Sequence, residues 1–413
     1  VLLANNGFIN DAHSAASSKG MPGIRIIGET VPCESTVISD IEKGVAEVMK
    51  EVVDALVRPL TADEKSPKQQ TGKTPRVAFK GTLQEINQFF YRKGWGDGLP
   101  IIPPTEEAVK EMLKGTDLPP DHIVAKIIPR KGKATVEKIA INAVMAGALP
   151  THMPVLIATV EAFSDPKARF DTFEVSTGSW APSLTINGPI RRDIHINSGS
   201  GSLSPGNIAN SAIGRAVGLI VKNIGGARKA VEDMGVIGNP GKYSLVIGED
   251  EENSPWEPLS VERGFKREES TVTVFFPNTF IQTVPGGTDA KGILDTLVTM
   301  GTTSMSSVIL IPSWAKVLSG EGYTKQMVKD YIAQHSKPVV ISGFETITNP
   351  DKMDTENLMI LVAGGPGSFI GLLKSVGPGF FNNALVTKKI VLPKDWNKLV
   401  AKYSNLVPVY ERY

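Results

Sequence analysis

The chain has 413 residues, more than one hydrophobic core usually serves, and its 44 basic and 43 acidic side chains nearly cancel. Hydrophobic residues at 41% and charged residues at 21% suit a globular protein with a real core, while the balanced charge gives no global field to hold nucleic acid or an anionic membrane. The single cysteine, Cys33, excludes an intrachain disulfide and any Cys-rich zinc or iron–sulfur centre made by this chain alone, and it fits a reducing, cytoplasmic compartment.

The chain opens on Val1-Leu2-Leu3-Ala4-Asn5-Asn6-Gly7, a buried strand running into a turn. A core strand without a polar lead is an unusual terminus. The expectation is that residues 1–60 are a partial α/β domain whose missing half lies upstream or on a partner chain. A helix over residues 10–19 closes at Gly20, and residues 23–28 read as a second strand. From Thr36 to Val57, Ile38, Ile41, Val45, Val48, Val52 and Leu56 recur at helical spacing, with Ser35 or Ser39 as cap and Pro59 as stop. Strand, helix, strand, helix predicts part of a parallel, flavodoxin-like sheet.

Residues 61–80 are polar and turn-rich and read as a linker. Residues 81–413 then form a larger α/β or α+β domain. Helices are predicted at 83–91, 105–113, 136–148, 153–163, 208–224, 290–300 and 325–335. Strands are predicted at 185–188, 243–247, 271–276, 307–311, 338–341 and 358–362. The short basic cluster Arg130, Lys131 and Lys133 reads as a solvated loop. No sequence repeat of fixed period appears. No apolar run reaches the roughly 18 residues of a membrane span, and no charged-then-apolar leader is present.

The stretch richest in ligand-binding chemistry is 174–210, where Ser176, Thr177, Ser179, Ser198, Ser200, Ser202 and Ser204 lie among glycines and prolines. Asn187, Asn197 and Asn207 add fixed donors and acceptors, and Trp180 offers a flat wall for a planar substrate. His195 is the natural proton carrier there. Asp97, on the turn 95–98, either joins that site or makes an Asp turn. Asp11 and His13 either share a proton where open α/β sheets bind ligands or cap a helix. Glu257 and Arg263, in the loop 249–263, either enter a site or lie on a solvated acidic face. The turn Gly364-Gly365-Pro366-Gly367-Ser368 either holds an anion before a helix-like run or is an ordinary tight turn. The five histidines are scattered, with no metal-ligand spacing, and no nucleotide fingerprint identifies a cofactor.

Gly20-Met21-Pro22-Gly23-Ile24-Arg25-Ile26, with Val31-Pro32-Cys33-Glu34 and the long helix behind it, resembles the UGSC family of (seleno)proteins. Trp95-Gly96-Asp97-Gly98-Leu99-Pro100-Ile101-Ile102-Pro103-Pro104-Thr105 resembles the module sometimes fused behind that domain. So do Ala140-Ile141-Asn142-Ala143-Val144-Met145-Ala146-Gly147 and the loop that begins Asn187-Gly188-Pro189-Ile190. The resemblance implies reductive attack at a carbon–heteroatom bond by a selenocysteine or cysteine after the first strand. This chain departs from the pattern there: the matching place reads Ala4-Asn5-Asn6-Gly7, so Asn5 and Asn6 can bind or polarise a substrate but carry no electrons.

The expected function is therefore acid/base chemistry on a small polar or thiol-bearing molecule, of lyase or hydratase type, with His195, Asp97 and His13 as proton carriers. Asn5, Asn6, Trp180, Asn187, Asn197, Ser198, Asn207, Glu257 and Arg263 would bind substrate. The alternatives are a reductase whose redox cysteine or selenocysteine lies on a missing segment or partner, and a non-catalytic binding or scaffold subunit. Cys33 is expected to be a small buried residue, and the chain to form a homo-oligomer.

Overall fold

The computed structural model describes residues 1–33, 35–67, 75–302, 306–336, 355–375 and 385–408, and its architecture is α/β. Strand β1 (Leu2–Asn5), helix α1 (Ile9–Ser18) and strand β2 (Ile26–Glu29) form a parallel β–α–β unit, with Leu2 opposite Ile26 and Asn5 opposite Glu29. Helix α2 (Ile38–Val57) follows, and its Gly44 lets the backbone meet Val31, where a Cβ would come within 3.0 Å of the Val31 nitrogen. Only Gly44, Val48 and Ala55 of this helix are buried, and Ile38 and Leu56 are 71% and 65% exposed. The apolar stripe is thus covered at its middle, around Val48, and exposed at its two ends. The opening strand is paired but not buried, since Val1, Leu2 and Leu3 are exposed. Val37 stands at the start of α2 with no side-chain cap, and the Ser35 hydroxyl instead accepts from the Val37 N–H just outside the helix.

Arg25 ties the end of this unit down. Its guanidinium donates to the Arg58 and Pro59 carbonyls and pairs with Glu64 at 2.7 Å, within α3 (Ala62–Lys65), which opens with a Thr61–Glu64 capping box. The first part of the expected linker is therefore a capped turn.

Helices α4 (Leu83–Arg92) and α5 (Glu106–Met112) lead to a hairpin of β3 (Ile123–Ile127) and β4 (Gly132–Thr135). Arg130 at its tip is not simply solvated: it donates to the Ser14 hydroxyl of α1 at 3.1 Å. Helices α6 (Val136–Ala146) and α7 (Met153–Phe163) are almost wholly buried, as a run of Ala, Val, Ile and Met on all faces requires. The turn α8 (Phe170–Phe173) precedes β5 (Ser183–Asn187), α9 (Ile190–Asp193), α10 (Ile208–Ile220) and β6 (Val246–Gly248). Then come α11 (Leu259–Glu262), β7 (Thr271–Phe275), β8 (Thr279–Thr283), α12 (Ala290–Thr299) and β9 (Ser306–Leu310). The chain continues through α13 (Pro312–Gly320), α14 (Lys325–His335), β10 (Leu358–Val362), β11 (Ile370–Lys374), β12 (Val386–Lys389) and α15 (Trp396–Tyr403). The strand expected at 338–341 lies outside the described residues. The run after Gly364–Ser368 is the strand β11, not a helix, so the turn has no helical amides behind it. It packs on the loop from β5, where a Cβ on Gly365 would stand 1.7 Å from the Ser200 hydroxyl.

Among the described residues, two four-stranded sheets carry the fold, in the orders β12-β7-β5-β6 and β10-β9-β11-β8. In each, the central first strand has a parallel neighbour on one side (β6 on β5, β10 on β9) and an antiparallel one on the other (β7 on β5, β11 on β9). The fourth strand is exchanged. β8 leaves the first sheet to pair with β11, and β12 returns to pair with β7. The chain therefore repeats one topology twice, although the sequence shows no repeat. Ile247, Phe275, Ile309, Met359, Leu361 and Leu373 pack between the sheets. The outer face of the first sheet is covered by α6, α7 and α10, and that of the second by α12, α13 and α14. Backbone hydrogen bonds from Asp250 to Val362 and from Gly364 to Ser198 join the strand ends of the two halves.

Candidate active site

A cavity of about 200 Å³ lies between α10, the strap 240–244, the loop 227–233 and the turn 96–97. Two glycines of α10 create the geometry. A Cβ on Gly218 would stand 2.7 Å from the Lys242 carbonyl, and one on Gly214 would stand 2.6 Å from the Ser244 Cα, so the strap rests directly on the helix. One turn of the helix also presents Arg215, whose guanidinium grips both carboxylate oxygens of Asp97 at 2.8 and 3.0 Å. The Asp97 carboxylate in addition accepts from the Leu99 N–H, and Gly98 takes the positive φ of +97° that this tight turn needs. Burial opposes ionisation of Asp97, but Arg215 outweighs it and holds the carboxyl below its ordinary value. Lys222, just beyond α10, donates to the Gly96 carbonyl, and burial lowers its ammonium.

The most buried ionisable group lining the cavity is Glu174. It follows Phe173, whose ring stacks on Phe276 at 5.3 Å and meets Trp180 edge-on at 5.3 Å, and this aromatic wall carries the carboxyl into the interior. Burial pushes Glu174 up to about 8, against the pull of Lys242. Lys242 stands 4.0 Å from Glu174 and 2.6 Å from Asp233, to which it is firmly paired. Lys229 is exposed at the rim. The outer side of the loop 227–233 is held by α1: the Ser14 hydroxyl donates to Glu232, which Arg228 also grips at 2.9 Å. Burial, then the charge of Glu232, raises the neighbouring Asp11 carboxyl.

Of the sequence-expected residues, Asp97 lines this cavity. The others lie elsewhere, and most are engaged in holding backbone. Asn197 accepts from Gly199 and donates to the Ser200 carbonyl, Asn207 caps α10 and donates to the His195 carbonyl, and the Ser198 carbonyl accepts from Gly364. The polar loop is thus folded around its own amides. His195 sits on a turn at φ +56°, and neither it nor Asn187 or Asn197 lines the cavity. Trp180 is buried in the core beside Phe173, so it presents no open ring face.

Asn187, fully buried, donates to Glu249 at 2.7 Å and Glu251 at 3.0 Å. Asn5 donates to the Val31 carbonyl and accepts from Gly7, Asn6 is exposed over Gly28, and His13 is exposed on α1. Glu257 makes an exposed pair with Arg267, and Arg263 donates to the Leu385 carbonyl. The loop 249–263 is not a solvated acidic face throughout. Buried Glu249 is paired with Lys325 at 3.0 Å, Glu262 with Lys325 and Lys329, and Arg191 with Glu251 and Glu252. Cys33 is exposed, because β2 ends at Glu29 and Pro32 places the thiol on the turn before α2 rather than beside a strand.

Sequence reasoning missed Glu174, Arg215, Lys222, Lys229, Asp233 and Lys242. The available signal was an ionisable residue set against apolar residues: Glu174 directly after Phe173, Arg215 within an otherwise uncharged helix, and Lys222 just past its end. Among the described residues no cluster of His, Cys, Asp or Glu could hold a metal ion, and no helix is long and apolar enough to cross a membrane. Comparison with protein-family models, curated proteins and solved structures finds no match to this chain.

Proposed function

We propose that the chain is an acid/base enzyme that breaks or forms a carbon–heteroatom bond in a small carboxylic acid, a lyase or hydratase, at the Glu174 cavity. The observation that carries the reading is a pair of groups shifted towards neutrality in one cavity: Glu174 raised to about 8 and Lys222 lowered, both chiefly by burial. Near pH 7 Glu174 holds a proton to give, and Lys222 more readily loses one. With Glu174 and Lys222 both neutral, the lining cations Arg215, Lys229 and Lys242 still outnumber the anions Asp97 and Asp233, so an anion is favoured. Ligand pockets commonly span roughly 300–1,000 Å³, so about 200 Å³ suits a small acid.

In elimination, the neutral Lys222 amine takes the proton from the carbon beside the substrate carboxylate, the carbon–heteroatom bond breaks, and Glu174 protonates the departing heteroatom. A carbon–carbon double bond and a neutral leaving molecule result, and transfer of the proton from Lys222 to Glu174 resets the site. No electrons are exchanged with a cofactor. The stretch that carries the resemblance to the UGSC-associated module supplies Asp97 to this cavity and the Gly96 carbonyl to Lys222, which supports an active-site role for that module.

The test is turnover of a panel of short 3-hydroxy, 3-amino and 2,3-unsaturated acids, followed by the ultraviolet absorbance of the conjugated acid. Glu174→Gln should keep its fold and lose at least about 10²-fold in rate, and Lys222→Met should do the same. Full activity in either variant would remove the proposed acid or base.

A further inference from the structure

A second, larger cavity of about 390 Å³ opens on the other side of the strap 240–244, at the crossover from β7 to β8. Its floor is Leu245, Val246 and Leu373, where the two sheets meet. We infer that this cavity binds an uncharged, largely apolar, ring-bearing molecule with one or two hydrogen-bonding groups.

The lining chemistry carries the inference. None of the lining residues is an Asp, Glu, Lys, Arg or His, whereas the neighbouring cavity is ringed by them. A charged ligand would leave water here and find no partner, which is strongly unfavourable. The polar groups present are neutral. Ser244 is engaged with the Asn210 carbonyl and Asn239 with the carbonyls of Ser179 and Pro277, but the hydroxyls of Ser202, Ser204 and Ser211 have no hydrogen-bond partner among the described residues. They are free to give or accept. At the rim, Tyr243 and Phe280 are 51% and 49% exposed, two adjacent aromatic residues that a ring would cover. The volume lies within the range of roughly 300–1,000 Å³ usual for small-molecule sites.

The inference is independent of the Glu174 reading. The strap, seated on Gly214 and Gly218, separates the two cavities, and of the side chains only Tyr243 lines both.

The experiment is a fluorescence titration of the whole chain with neutral N-phenyl-naphthylamine and, separately, with anilinonaphthalene sulfonate, which adds a negative charge to the same ring skeleton. The neutral probe should saturate one site per chain, and the sulfonate should bind at least about tenfold more weakly. Ser211→Phe and Ser204→Trp, which fill the cavity from the helix and from the exposed loop, should each weaken the neutral probe by a similar factor. Glu174→Gln should leave it unchanged. Should Ser211→Phe fail to fold, the loop variant decides alone. No saturable signal from the wild type, equal binding of the two probes, or undiminished affinity in a folded cavity-filling variant would each overturn the assignment; the last outcome would place the probe on the exposed face of α2.

Discussion

Desolvation acts on Glu174 and Lys222 in opposite senses and moves both towards neutral pH. For Glu174 this has a cost in stability that can be measured. Its ordinary value is 4.5 and its folded value about 8, so between these limits the folded state keeps a proton that the unfolded state releases. Stability from this group is fully present below 4.5 and falls as pH rises to about 8, by at most about 1.4 kcal/mol per pH unit. His152, held by burial down to about 3 from 6.5, acts in the opposite sense below about pH 6.5, so urea midpoints of the wild type should drop between pH 6.5 and pH 8, and Glu174→Gln should flatten that drop. A parallel decline in both proteins would mean that Glu174 is ionised in the fold. Carboxylates held low by their partners, such as Asp97 and Glu111, act on the acid side of this window and do not mask it. Cys33 offers a second check at this scale. Its thiol is exposed on a turn away from both cavities, so it should react with a thiol reagent in the native state, and Cys33→Ser should leave turnover unchanged.

Among the elements, α14 carries two buried lysines, Lys325 and Lys329. Lys325 lies in its first turn, where the positive end of the helix dipole disfavours a cation. Burial would also lower its ammonium, yet Glu249 and Glu262 together outweigh burial and hold it above its ordinary value. Lys325→Met would leave Glu249 buried without its cation and should cost about 3–5 kcal/mol. Adding Glu249→Gln should recover much of that loss, and a chemical-denaturation cycle over the two variants measures the coupling. A loss below about 1 kcal/mol would show that the pair is not needed. Other elements show what periodicity can and cannot reveal. Helix α2 was legible because its apolar residues recur at three and four, and α6 and α7 because their runs are apolar on every face and split by Pro150 and Pro154. Strand β8, with its half-exposed alternation, and the short β3–β4 hairpin were not, and β11 was mistaken because an apolar run after glycines fits a strand or a buried helix equally. Nor does spacing tell how much of a stripe is covered: the regular apolar face of α2 is buried at Val48 but meets solvent at Ile38 and Leu56.

At the scale of the whole molecule, the repeated topology was invisible in the sequence because it resides in pairing across long separations. Val386 of β12 lies opposite Val274 of β7, and Ile370 of β11 opposite Thr283 of β8. The candidate site was hidden for the same reason, since Asp97 meets Arg215 only after the chain has folded back on itself. The exchange of β8 and β12 has a mechanical consequence. Neither sheet can lose its edge strand without disturbing the segment that enters from the other half. Ile309, Met359 and Phe275 are also shared between the two sheets, so opening either half exposes the apolar face of its neighbour. The two halves should therefore unfold together. Amide hydrogen exchange of peptides covering β5 and β9, followed at increasing sub-denaturing urea, should give opening free energies that agree within about 1 kcal/mol and converge on the global value. The β1–β2 unit, held by α1 and without an exchanged strand, should open at lower free energy. If the β9–β10 half opened several kcal/mol before β5, the exchanged strands would not couple the sheets, and the repeat would be two stacked units with independent stability.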